Sequence, residues 1–301
     1  MSGLSPSIAV VMSTYNGASY VEAQLSSILA QDCPNVHVVV RDDGSADETV
    51  AILRQYADRG DIELIEGQNV GLVSSFIGLV AHVAGKYDYV ALCDQDDVWH
   101  PDKLSRAIAA LAPLDQNAPQ LYCSEYTYCD ESMHPTGRSH LNQIGVTFET
   151  QLYENMVSGN TCVLNRRLAE LVAAAGTEGV YCHDWWISLI ACALGGLVFD
   201  DFSSLDYRRT GSNASPSGTH GPKLLMRRAK IFFGRGELGN VTMQLKRLYE
   251  LFALEMPATK RTFLERFLRG GRVRKATTPT RLRQRLIDEA ALRLLFLAGL
   301  L

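Results

Sequence analysis

Four times in the first hundred residues, a short apolar run gives way to polar residues and then to a stretch with helical spacing. The runs are Ile8-Ala9-Val10-Val11-Met12, Val36-His37-Val38-Val39-Val40, Ile62 to Ile65, and Tyr89-Val90-Ala91-Leu92-Cys93. Runs this apolar suit strands buried on both faces of a parallel sheet, with the intervening helices as crossovers. The alternation predicts an α/β fold: a Rossmann-like, mostly parallel sheet with helices on both faces.

Each run ends in polar residues: Thr14-Tyr15-Asn16, Asp42-Asp43, Asn69 with Gly71, and Asp94-Gln95-Asp96-Asp97. Parallel strands place their carboxyl ends on one edge, and ligands bind there. The four polar sets are therefore expected to converge. In the last set, carboxylates crowded together repel unless a cation or partner offsets them. A hard divalent cation that also bridges phosphate oxygens would do so. Taken alone, the stretch reads equally as a solvated acidic turn before a helix that Pro101 opens.

Other local signals are plainer. Ser45 and Glu48 have capping-box spacing for a helix through Tyr56. Gln120 to Cys129 reads as two short strand pieces around Ser124-Glu125, Met133 to Gly145 as a loop, and Val157 to Leu164 as a strand entered through Gly159. Helices are expected from Arg166 to Ala175 and from His183 to Leu194. Val198 to Asp200 and Leu205 to Arg208 read as short strands. No Gly-x-x-x-x-Gly-Lys is present, and no Gly-x-Gly-x-x-Gly follows any of the four strand runs, so neither phosphate cradle is supported there.

The chain has 301 residues, 47% hydrophobic and 21% charged, which excludes a disordered chain. Its net charge of -4 hides an asymmetry. Up to residue 222 there are 27 acids against 11 Lys and Arg; beyond it there are 6 against 18. An acidic α/β domain over 1–221 and a basic helical region over 222–301 are expected. Helices are expected over Lys223 to Phe233, Val241 to Leu254, Thr262 to Leu268 and Thr280 to Leu297. Nucleic acid is not an expected partner, because the acidic bulk would repel it.

Seven cysteines without a Cys-x-x-Cys pair suit free thiols in a reducing compartment. Met1 to Pro6 shows no leader pattern, and no uncharged apolar run reaches the roughly 18 residues of a membrane span. A cytoplasmic protein is expected, free or peripheral on the inner face of the membrane.

Taken in order, Met12-Ser13-Thr14-Tyr15-Asn16, Asp42-Asp43-Gly44-Ser45, Asn69-Val70-Gly71, Cys93-Asp94-Gln95-Asp96-Asp97-Val98-Trp99 and His183-Asp184-Trp185-Trp186 resemble the motifs of family 2 glycosyltransferases of the GT-A fold. The Asp-Gln-Asp-Asp-Val-Trp form is similar to bacterial rhamnosyltransferases of polysaccharide assembly. The resemblance covers roughly residues 7 to 213.

It implies inverting transfer of a sugar, with dTDP-L-rhamnose favoured as donor, onto a saccharide or lipid-linked saccharide acceptor. Thr14, Tyr15 and Asn16 would border the base and ribose. Asp42 would accept from the base and Asp43 would lie near the ribose, with Asn69 and Gly71 completing the wall. Asp96 would ligate Mg²⁺ or Mn²⁺, with Asp94 as its partner and Gln95 beside the donor. Asp184 would be the base that takes the acceptor proton; by position alone it reads instead as a helix N-cap or first-turn charge. Asp97, Trp99, Gly159, Asn160, His183, Trp185 and Trp186 would border the sugar or acceptor. Arg208 and Arg209 are candidates for the diphosphate; relatives often carry histidine where this chain has Thr210. A catalytically silent sugar-nucleotide-binding scaffold, or a hexosyltransferase using a UDP-sugar, is the alternative.

The basic tail admits two partners. Cations among apolar residues over Lys223–Phe233 and Arg261–Lys275 suit an anionic membrane surface. The same face would equally serve the acidic domain or a second copy of the chain in a homo-oligomer.

Overall fold

The computed structural model describes residues 5–210 and 235–301. The helix expected over Lys223–Phe233, the motif end Gly211-Ser212-Asn213 and the boundary near residue 221 lie outside the described residues.

The first half is strictly alternating: β1 (Ile8–Thr14), α1 (Val21–Leu29), β2 (Val36–Asp42), α2 (Thr49–Asp58), β3 (Glu63–Glu66), α3 (Leu72–Val83) and β4 (Tyr89–Cys93). There follow β5 (Val98–Trp99), α4 (Lys103–Leu111), β6 (Gln120–Cys129), β7 (Pro135–Arg138), α5 (Phe148–Gln151), β8 (Val163–Asn165), α6 (Arg166–Ala175), α7 (His183–Leu194) and β9 (Gly196–Arg208). The basic region supplies α8 (Arg235–Phe252), α9 (Ala258–Arg269), α10 (Arg272–Ala276) and α11 (Leu286–Ala298).

The strands form one mixed sheet in the order β3-β2-β1-β4-β8-β6-β9-β5, with β7 pairing β6 at the side. β3, β2, β1 and β4 run parallel. β8 reverses direction, β6 and β9 are parallel to each other, and β5 is antiparallel to β9. Alternate residues of one strand feed opposite cores. Ala9, Val11, Val39, Val90 and Leu92 pack on one face; Ile8, Val10, Met12, Val38, Val40, Ala91 and Cys93 pack on the other. Burial on both sides is why these runs show no polar alternation.

The first core also contains Trp186, Ile187 and Ile190 of α7, together with Val241, Leu248, Phe252, Leu264, Phe267 and Phe296 of the C-terminal helices. The Tyr153 ring packs edge-on against Phe267 and Phe296, at centroid distances of 5.4 and 5.2 Å. The described part of the basic region therefore shares its apolar core with the sheet. All seven cysteines are free.

Several local expectations are corrected. Ser45 and Glu48 form no capping box: Ser45 Oγ instead donates to Asp42 Oδ2 at 2.6 Å, and Glu48, ahead of α2, makes no side-chain cap. Pro101 lies in a turn, and α4 begins at Lys103. β6 is one continuous strand, and the irregularity at Ser124-Glu125 is a shift in its register with β9. The buried Glu125 carboxylate there accepts from the amide of Leu141 at 2.9 Å. β9 likewise runs unbroken through Gly196–Arg208. Part of the Met133–Gly145 loop forms β7. Of Val157–Leu164, only Val163 and Leu164 are strand, and Gly159–Thr161 is a 3₁₀ turn. Residues 280–285 are not helical: the amides of Leu282 and Arg283 each donate to Glu289 Oε2 at 2.8 Å.

Candidate active site

The parallel register brings the expected strand ends together: Thr14 lies opposite Asp42, and Met12 opposite Cys93. Asp42 Oδ1 accepts from the amides of Gly44 and Ser45, at 3.0 and 2.8 Å. Its Oδ2 accepts from Thr14 Oγ1 at 2.9 Å and from Ser45 Oγ. A carboxylate has about four lone-pair sites, so Asp42 is fully spent on shaping the loop. The expectation that Asp42 accepts from a base is corrected on that ground. Thr14 is fully buried and serves the same network. Gly44 permits it: its φ is +86°, and a Cβ there would lie 3.2 Å from the Asn69 amide nitrogen.

Asp43 closes the next layer. It pairs with Arg41 and accepts from the amides of Val70 at 2.9 Å and Gly71 at 3.0 Å. Burial pushes its carboxyl up, but Arg41 and these amides outweigh burial and hold it below the ordinary value. Asn69 is exposed and its Oδ1 accepts from Gly71 N at 3.1 Å. Tyr15 is half exposed, and the Gln95 side chain brackets its peptide, accepting from Tyr15 N at 2.8 Å and donating to Tyr15 O at 3.1 Å. Asn16 accepts from Ala46 N at 2.8 Å. Gln95 thus ties the loop after β4 to the loop after β1.

Asp94 and Asp96 are half-buried and Asp97 is fully buried. Burial, and then the charges of Asp96 and Asp184, push the Asp94 carboxyl up to about 7. Burial also raises Asp96, against the opposing charge of Arg208. Asp97 is raised well above the usual range by burial and by Asp94 and Asp96. Its Oδ2 accepts from Asn160 Nδ2, the Arg208 backbone amide also favours its charged form, and its Oδ1 has no hydrogen bond of ordinary geometry among the described residues. Asp97 therefore belongs to the floor beneath the other two acids, not to the border of the sugar or acceptor pocket. Arg208 is directly adjacent: its Nε donates to Asp96 O at 3.1 Å. Arg209 lies over the Tyr128 ring, 3.8 Å from the centroid. It lines a cavity of about 440 Å³ with Cys129, Asp130, Glu131, Ser132 and Thr136.

Asp184 sits in the first turn of α7, whose N-cap Cys182 makes no side-chain cap. Its Oδ1 accepts from Asn155 Nδ2 at 2.9 Å, Cys182 Sγ at 2.9 Å and its neighbour Trp185 N at 2.6 Å. Its Oδ2 accepts only from Gly159 N, at 3.2 Å, among the described contacts. Gly159 and Asn160 occupy one 3₁₀ turn. That turn touches Asp184 through Gly159 and Asp97 through Asn160. It links the acid loop to the carboxylate facing it.

Four of the expected pocket residues are buried in the interior. Trp186 is fully buried and Trp99 nearly so, which leaves neither ring a face for a sugar. Trp185 is 7% exposed, and its indole donates to Gln151 O at 2.6 Å. The His183 ring is buried and stacks on Phe76 with centroids 4.4 Å apart; burial lowers its pKa.

Sequence reading missed four residues. Arg41 orders Asp43, and Asn155 and Cys182 hold Asp184. Lys103, fully buried, donates from Nζ to Asn160 O at 2.8 Å and lies 4.5 Å from the Trp99 ring centroid. Burial brings its pKa down to about 8 despite the nearby acids. A signal existed for Lys103 alone, since it falls on the buried α4 stripe with Leu104, Ala107 and Leu111.

The sequence profile of glycosyl transferase family 2 matches residues 9–170, more than half of the chain. The dTDP-rhamnosyl transferase RfbG of Shigella flexneri is 32% identical over 135 residues, covering 43% of this chain and 44% of its own. The chain spans about 62% of the length of two Rickettsia glycosyltransferases that it matches at 27% and 25% identity. The crystal structure of S. aureus TarS 1–349 with UDP-GlcNAc superposes with a TM-score of 0.58 at 17% identity, covering 97% of this chain and 92% of that one. The mannosyltransferase PcManGT of Pyrobaculum calidifontis, in complex with GDP-Man and Mn²⁺, gives 0.50 at 17% identity over 98% and 87%. These structures share the GT-A architecture seen here, and the profile match, together with the ordered strand-end motifs, identifies the chain as a member of glycosyl transferase family 2.

Proposed function

We propose that this chain is an inverting glycosyltransferase that moves a hexose, L-rhamnose from dTDP-L-rhamnose, onto the hydroxyl of a saccharide or lipid-linked saccharide in bacterial cell-surface polysaccharide synthesis. One observation carries the reading. A single buried turn, Gly159–Thr161, contacts both the acid loop and Asp184, so a donor site and a candidate base are held in fixed relation. The RfbG likeness supports rhamnose, whereas the UDP-GlcNAc bound by TarS favours a UDP-sugar as the second reading.

The residues fit a hard divalent cation. The acid loop offers carboxylate and amide oxygens, its carboxyls are raised by burial, and Asp97 Oδ1 has no hydrogen bond of ordinary geometry among the described residues. Among the described residues no group of three His, Cys, Asp or Glu forms a metal cage. This suits Mg²⁺ or Mn²⁺ held by one or two carboxylates and the donor phosphates, as Mg²⁺ is held elsewhere. Asp96, with Asp94, would hold the ion, and PcManGT carries Mn²⁺ on the same architecture. When bound, it would offset charge developing on the leaving diphosphate.

The remaining work falls to the chain itself. Tyr15, Asn16, Asp43, Asn69 and Gly71 would line the nucleoside site, and Arg208 would face the diphosphate. The acceptor hydroxyl would attack the anomeric carbon from the side opposite the diphosphate. Asp184 would take its proton on Oδ2, the oxygen with fewer donors.

A thermal-shift panel tests the donor and the ion together. dTDP-L-rhamnose with Mn²⁺ should raise the melting temperature more than UDP-GlcNAc or GDP-mannose, and EDTA or Asp96→Ala should remove the shift. A larger shift with a UDP-sugar would replace rhamnose, and a full shift in EDTA would remove the metal.

A further inference from the structure

α11 is built with its charges inward and its leucines outward. Asp288 and Glu289 are buried, and Glu289 pairs with Arg293 and caps the amides of Leu282 and Arg283. On the opposite side Leu286, Ile287, Leu294 and Leu297 are 72%, 67%, 66% and 48% exposed, with exposed Ala290 between them. Positions 286, 290, 294 and 297 follow helical spacing and share one face. Arg293, about a quarter exposed and paired with Glu289, borders one edge of that face, and no charged residue lies within it. The stripe is left uncovered by the described residues and is open to a partner, whose kind its surroundings decide.

The surroundings say what it contacts. Arg266 to Ile287 holds eight cations and no acid. Exposed Arg285 directly precedes the stripe, and Arg272 packs its guanidinium against Gly299 at the other end. Two copies meeting through this face would bring these cations together. The patch is also small for a dimer. Thirteen residues of helix give a strip of about 20 Å by about 10 Å, on the order of 200 Å², where stable interfaces take about 800 Å² from each partner. No helix among the described residues is long and apolar enough to cross a membrane.

We infer that the exposed face of α11, bracketed by Arg272 and Arg285, lies in the interface of an anionic lipid bilayer. An apolar helical face with cations at its margins is the arrangement that partitions there. The segment that leads into α11 is tied to the catalytic half. Gln284 accepts from the amides of Gln143 and Ile144, at 2.6 and 3.0 Å. Arg283 donates to Tyr153 O, and Gln284 N donates to Glu154 Oε2 at 2.6 Å. Asn155, which holds Asp184, comes next in the chain. Docking through α11 would bring the acceptor side of the site close to the lipid surface, where a lipid-linked saccharide is presented. The docking stands apart from the proposed chemistry; only this last consequence rests on it.

Flotation of the full chain with vesicles tests the inference. The chain should float with phosphatidylcholine–phosphatidylglycerol vesicles far more than with phosphatidylcholine alone. Leu286→Ser with Leu294→Ser and Leu297→Ser should lower partitioning about tenfold or more, with the nucleotide-sugar thermal shift unchanged. Arg272→Gln with Arg285→Gln should lower it on anionic vesicles only. Three outcomes would overturn the inference: no flotation of the parent chain, flotation indifferent to the serine substitutions, or sedimentation showing a dimer that those substitutions dissociate. The thermal shift reports separately on the donor site, so its loss would count against the proposed function and not against docking.

Discussion

Asn155 donates its side-chain amide to Oδ1 of Asp184 at 2.9 Å, across a separation of 29 residues. With Cys182 Sγ and Trp185 N on the same oxygen, it fixes which carboxylate oxygen stays open. Asn155→Ala should therefore lower kcat by roughly tenfold to a hundredfold with little change in donor KM, since loosening a catalytic group costs orientation. Steady-state kinetics with a soluble acceptor reads the split. An equal loss in both parameters would mean that Asn155 acts on the donor instead.

Gly159 leaves no room for a side chain. A Cβ there would lie 2.8 Å from His183 Nε2 and 3.5 Å from Asp184 Cβ. Gly159→Ala should cost about 1–3 kcal/mol of stability through overpacking and lower kcat about tenfold as the turn shifts. Denaturant melts and turnover measured on the same preparation check both.

Asp43 gives a pH signature. Burial favours its neutral form, but Arg41 and the amides of Val70 and Gly71 prevail and hold the folded pKa below the ordinary 3.8. The folded state thus binds this proton less readily than the unfolded chain. Its contribution is complete above about pH 4, near the ordinary aspartate value, and is lost as pH falls through the lower folded value. Melting temperature below pH 4 should fall less steeply in Asp43→Asn than in the parent. At pH 7 the variant should be less stable by on the order of 1–3 kcal/mol, because buried donors lose an ionic acceptor.

The parallel half of the fold was legible because burial on both faces imposes a run that any reader of the chain can see: Ile8 to Met12 and Tyr89 to Cys93 have every residue buried. β8 and the 3₁₀ turn were less legible because their conformations are set by contacts distant in sequence. Lys103 reaches Asn160 across 57 positions, and Val163 pairs with Ala91 of β4 and Tyr122 of β6. The strand-end motifs located the candidate site, but not the division of labour within it. Asp42 and Asp43 are adjacent in sequence, yet one is spent on its own loop while the other orders a neighbouring one. Asp97 looks like its neighbours in the sequence and lies beneath them in the fold. Trp99 and Trp186 look like sugar platforms and turn out to fill the core. The apolar face of α11 was hidden for a related reason: charged residues ordinarily mark a helix's exposed side, and here Asp288 and Glu289 are turned inward, Glu289 onto Arg293.

The central claim is that Asp184 acts as the base facing a donor site on the acid loop. Transfer from dTDP-L-rhamnose to a saccharide acceptor, measured beside donor affinity for the parent chain and Asp184→Asn, tests it most directly. The account predicts unchanged donor affinity in the presence of Mn²⁺ and transfer lower by about 10²–10⁴-fold, the usual contribution of a positioned general base. Parent-like transfer by Asp184→Asn would contradict it.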